Sequence, residues 1–94
     1  MSEVIAKAVQ MLGAKLPNGF DGVAKFVIPG EGTIMLDPDG ARAGDTPADV
    51  TLTAEAEVFE QILSGDMNPT AAFMTGKLTV DGDMGLAMKL GAVL

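Results

Sequence analysis

The chain predicts an α+β fold, and three observations carry that prediction. The first segment repeats its apolar residues at helical spacing. The middle of the chain switches to period two. The remainder sets helical patterns around one further strand. With 94 residues, 48% hydrophobic and 20% charged, the chain is long enough for one core, and residues 1–94 are expected to form a single domain.

Each element has its own justification. Ile5, Ala8, Val9, Leu12 and Leu16 fall on one helical face, Ser2 suits the N-cap, and Pro17-Asn18-Gly19 stops the helix. Val23 to Ile28 alternates, with Ala24, Phe26 and Ile28 on one side. Pro29-Gly30-Glu31-Gly32 turns the chain into a second strand, Thr33 to Leu36, and Asp37-Pro38-Asp39-Gly40 turns it again. Ala41 to Gly44 and Asp49 to Thr53 follow as strands, the latter with Val50 and Leu52 inward. Short turns between successive strands predict an antiparallel meander. Ala54 to Leu63 reads as a helix capped by Thr53, with Val58, Phe59, Ile62 and Leu63 on its apolar face and Ser64-Gly65 at its end. Asn68-Pro69 opens a short helix that Gly76 closes. Lys77 to Asp81 is the last strand, Asp81-Gly82 a turn, and Asp83 opens a final helix.

That final helix carries apolar residues all round. Met84, Leu86, Ala87, Met88, Leu90, Val93 and Leu94 encircle it, with Asp83 and Lys89 its charges. Such a helix needs cover on both sides, and a small domain has few layers to supply it. A second subunit, a membrane or an apolar ligand could cover the second side. Met67, Met74, Met84 and Met88 cluster in the same C-terminal region, and methionine suits surfaces that adapt to varied apolar shapes as well as it fills cores.

Composition excludes much chemistry. There is no Cys and no His, so a thiolate nucleophile, a Ser–His–Asp triad and a histidine-bound zinc are excluded within this chain. Asp37-Pro38-Asp39-Gly40 fails as a calcium loop because Arg42 and Ala48 stand where Gly and Glu are required. No catalytic residues, metal or cofactor are expected. A net charge of −7 argues against nucleic acid and against docking on anionic membrane by charge. No leader or membrane span is read, and a cytoplasmic location is expected.

From Leu63 to Leu90 the chain resembles the sterol carrier protein 2 family. The residues are Ser64-Gly65, Asn68-Pro69, Ala72-Phe73-Met74, Gly76-Lys77-Leu78, Gly82-Asp83 and the Met84 to Leu90 helix; Ala48-Asp49-Val50-Thr51-Leu52 matches upstream. The resemblance implies a five-stranded mixed, mainly antiparallel sheet with helices over one face. It also implies an apolar tunnel that carries a sterol, fatty acid, acyl-CoA or phospholipid without catalysis. Phe59, Ile62, Leu63, Phe73, Met74, Leu78, Met84, Met88 and Leu90 are the expected lining. The expected partner is the lipid itself, with transient membrane or enzyme contact, no nucleic acid, and a monomer in preference to a homodimer. The alternative is an accessory module of a lipid- or quinone-handling enzyme that uses the apolar C-terminal helix as its interface.

Overall fold

The structure, a computed structural model, describes residues 2–94. Its elements run α1 (Glu3–Lys15), β1 (Ala24–Ile28), β2 (Gly32–Asp37), β3 (Gly40–Ala43), β4 (Val50–Thr53), α2 (Ala56–Ser64), α3 (Pro69–Met74), β5 (Thr79–Gly82) and α4 (Met84–Val93). The five strands form one sheet in the order β3-β2-β1-β4-β5. This is the α+β architecture with a mixed sheet that the sequence predicts.

The meander is correct for β1, β2 and β3, which are antiparallel neighbours, and it fails at β4. β4 crosses to the far side of β1 and pairs with it in parallel, Phe26 opposite Leu52. The connection, residues 44–49, leaves from Thr33, whose carbonyl accepts from the Gly44 N–H, and arrives at Val23, whose carbonyl accepts from the Asp49 and Val50 N–H groups. It therefore runs from one end of the central strands to the other. Lys25 and Met35 face each other on the side of the sheet turned away from the helices. The Lys25 Nζ lies 2.8 Å from Asp45 Oδ1 in this connection, and Met35 is buried against Gly44. The crossover thus shields one apolar residue on the face turned away from the main core.

The main core lies on the opposite face. Ala24, Phe26 and Ile28 of β1, Ile34 and Leu36 of β2, and Val50 and Leu52 of β4 all point into it. α1 buries Ile5, Ala8 and Leu12, and its cap is the predicted one: Ser2 Oγ accepts from the Ile5 N–H at 3.1 Å. α2 sits over β1, with the Phe59 ring edge-on to Phe26 at a centroid distance of 5.4 Å. The expected Thr53 cap is not observed. The Ala54 N–H still donates to the Val27 carbonyl, so the chain stays extended and α2 begins at Ala56, after Glu55. The last strand also starts later than predicted. The Lys77 and Leu78 N–H groups both donate to the Ala72 carbonyl at the end of α3, which withholds them from the sheet. Gly82, expected in a turn, instead pairs with Val50 as the last residue of β5.

Candidate functional site

A cavity lies between α3 and α4, over the β4–β5 end of the sheet. Its volume is about 730 Å³, within the range of roughly 300–1,000 Å³ usual for small-molecule sites. Leu52 and Val80, cross-strand partners on the inner face, form the floor. Asn68, Pro69, Thr70, Phe73 and Met74 form the α3 wall, and Leu78 follows them at the base. Met84, Ala87, Met88 and Gly91, at i, i+3, i+4 and i+7, form the α4 wall, with Ala92 and Leu94 at its end.

Local sequence explains both walls. Asn68 Oδ1 accepts from the Thr70 and Ala71 N–H groups at 2.8 and 3.3 Å, and Pro69 fixes the first turn, so α3 holds together although Ala72 is its only buried residue. Asp83 Oδ1 caps α4 through the Leu86 N–H at 3.1 Å. α4 is anchored by Leu90, which is 0% exposed. At its ends Lys89 Nζ reaches Asp21 Oδ2 at 3.0 Å, and Lys15 Nζ donates to the Leu94 carbonyl at 3.2 Å.

The groove is lined without a single charged side chain; Asn68 and Thr70 supply its polar side chains. It is open along one side, because Met74 and Met88 are largely exposed and Phe73 and Met84 about half exposed. Five of the nine residues expected from sequence meet there: Phe73, Met74, Leu78, Met84 and Met88. The other four lie elsewhere. Phe59, Ile62, Leu63 and Leu90 belong to the main core, packed beneath the helices. The lining residues that sequence reasoning passed over are Leu52 and Val80 of the floor, Asn68, Pro69 and Thr70 at the start of α3, and Ala87, Gly91, Ala92 and Leu94 of the α4 wall. The i, i+4, i+7 spacing of Met84, Met88 and Gly91 was the available signal for the α4 wall.

No group of three acidic side chains able to hold a metal occurs among the described residues. The perturbed titratable pair is remote from the groove. The Arg42 guanidinium binds both carboxylate oxygens of Asp37, at 3.1 and 2.6 Å, and holds that carboxyl below its usual range, while Arg42 itself is raised by the same contact. This pair clasps the β2–β3 hairpin.

A small α+β domain with a large apolar cavity, free of charged side chains and open between two helices, is built for binding. The chain belongs to the SCP-2 sterol transfer family, whose model matches residues 7–94. Hydroxysteroid dehydrogenase-like protein 2 of Xenopus tropicalis is 41% identical over 78% of this chain and 19% of its own length. Human sterol carrier protein 2 is 34% identical over 92% of this chain and 18% of its own length. The chain therefore spans less than a fifth of these curated relatives. The solved structure of palmitated SCP2L2 from Aedes aegypti aligns over 99% of this chain and 94% of its own, with a TM-score of 0.68 and 28% identity.

Proposed function

We propose that this domain binds one apolar lipid in the groove between α3 and α4 and carries out no chemistry on it. The observation that carries this reading is the groove itself: about 730 Å³ of space whose lining holds no charged side chain. Burying roughly ten methylene groups there contributes about 8 kcal/mol before the costs of ordering are subtracted. The palmitate of the Aedes aegypti neighbour supports an acyl chain as one acceptable ligand. With lipid in place, the flexible Met74, Met84 and Met88 side chains fold over it and close the groove toward a tunnel. Native mass spectrometry of the protein titrated with palmitate tests this reading. A one-to-one adduct that the uncharged groove releases when Met88 is replaced by Glu is expected. Failure to retain palmitate or any other apolar lipid at micromolar concentrations refutes it.

A further inference from the structure

The groove has a chemical property that a leucine-lined groove of the same shape would lack. Three of its lining residues are thioethers, and all three stand at its open side: Met74 is 79% exposed, Met84 49% and Met88 75%. Met74 lies at the end of the α3 wall, while Met84 and Met88 lie one turn apart on the α4 wall. The base of the groove is filled by Leu78 instead. Elsewhere Met35 is 1% exposed, sealed beneath the 44–49 crossover. The chain thus holds reachable thioethers where a ligand would sit and a protected one in the scaffold.

We propose that Met74, Met84 and Met88 form an oxidation site for hydroperoxides, and that their conversion to sulfoxides releases the apolar cargo. The proposal rests on the lipid-binding reading above. A sulfur lone pair attacks one peroxide oxygen, an S–O bond forms and the O–O bond breaks. The departing oxygen takes up the proton, so thioether and ROOH become sulfoxide and ROH. Sulfur loses two electrons and the peroxide gains them. Each sulfoxide replaces a flexible apolar tip by a strongly polar S=O acceptor. The groove has little to pair it with. Its donor side chains are the Asn68 amide and the Thr70 hydroxyl at the start of α3; the α4 wall beside Met84 and Met88 has none, and no cation lines the walls. A lipid covering the oxidised rim would strand these acceptors away from water.

Hydrogen peroxide, palmitate and peptide mass mapping test this on the full chain. At a dose that adds one oxygen to Met74 and Met88, Met35 is expected to stay reduced. The palmitate Kd of that material is expected to rise about tenfold or more. Methionine sulfoxide reductases are expected to restore it. The variant Met74→Leu/Met84→Leu/Met88→Leu, whatever its own palmitate Kd, should show the same Kd before and after peroxide. If that variant does not fold, Met74→Leu/Met88→Leu, at the two most exposed sites, should blunt most of the effect. Oxidation of Met35 in step with Met88, or an unchanged Kd after oxidation of the rim, overturns the proposal. So does an equal loss in the leucine variants. If the reduced protein binds no palmitate, the lipid reading and the proposal both fall. If the reduced protein binds and peroxide changes nothing, the oxidation site alone falls.

Discussion

Leu90 and Met88 stand two residues apart on α4 and should behave as opposites. Leu90 is wholly buried, and it is the residue of α4 that reaches the core. Met88 faces the groove and is largely exposed. Truncating a buried leucine to alanine removes its transfer free energy and leaves a cavity, with measured costs of about 2.7–5.0 kcal/mol in a well-studied lysozyme series. Leu90→Ala is taken at about 3 kcal/mol, toward the lower end of that range. For a domain of this size that is a fall in Tm of roughly 12–24 °C. Met88→Ala removes little buried surface, so its stability should stay within about 0.5 kcal/mol of the parent, roughly 4 °C. Its palmitate affinity should fall roughly fivefold, the loss of about 1 kcal/mol of ligand contact. Thermal melts followed by circular dichroism on lipid-free protein, with calorimetric titration of palmitate, separate the two effects. A Leu90→Ala melt within about 4 °C of the parent would show that α4 is not held as described. A Met88→Ala variant as unstable as Leu90→Ala would place Met88 in the core and remove the groove's wall.

Other consequences are as direct. Met88→Glu introduces a charge into an uncharged lining; palmitate binding measured by calorimetry should weaken by about tenfold or more while the melting temperature stays near the parent. Gly82 has φ +102°, and a Cβ there would stand 2.5 Å from the Asp49 carbonyl oxygen. Gly82→Ala should therefore destabilise by about 2 kcal/mol or more, read in a guanidinium melt, because neither backbone neighbour can give way. Asp37 is depressed by its hydrogen bonds from Arg42. The contribution of the pair to stability is thus complete above the ordinary Asp pKa of about 3.9 and is lost as pH falls through the lower folded value. An NMR titration should find the Asp37 carboxyl carbon midpoint below that of an unpaired Asp and moved up in Arg42→Ala.

Much of this fold was legible because short-range chemistry decides it. Ser2, Asn68-Pro69 and Asp83 start helices at the residues where their side chains find N–H groups, and the alternating burial along β1 follows directly from Ala24, Phe26 and Ile28. The parallel placement of β4 was not legible. Alternation in Val50-Thr51-Leu52-Thr53 states that the strand has one buried face and is silent about which neighbour it pairs with. The six residues of the 44–49 crossover resemble any other loop in composition, and the burial of Met35 beneath it is visible only once the topology is known. The same limit applies to the site. Phe59, Ile62, Leu63 and Leu90 have the same chemistry as Phe73, Leu78 and Met88, and core is distinguished from groove wall only by what lies across from each side chain. For Phe59 that is Phe26; for Met88 it is open space.

The all-apolar helix predicted from sequence gains its meaning from how weakly the rest of the molecule holds it. α4 has ten residues, fewer than the roughly 12–15 an isolated helix needs for even marginal stability. Gly85 and Gly91 each cost it about 1 kcal/mol relative to alanine. Its order therefore comes from tertiary contact: Leu90 in the core, Leu86 against Gly22, and two surface contacts, Lys89–Asp21 and Lys15 to the Leu94 carbonyl, which contribute little in solvent. A lipid between Met84, Met88 and the α3 wall adds apolar contact on the side where α4 has none. Binding and the ordering of α4 are then one equilibrium, and ligand at 100 times its Kd stabilises the bound form by about 2.7 kcal/mol. Hydrogen exchange should register this unevenly. The α4 amides open locally without lipid and should slow up to about 100-fold with saturating palmitate, whereas β1 amides, which exchange only on deeper unfolding, should remain the slowest in both states. Equal slowing across α4 and α1, with no excess at α4, would mean that the lipid binds without engaging this helix, and the groove would lose its claim to the ligand.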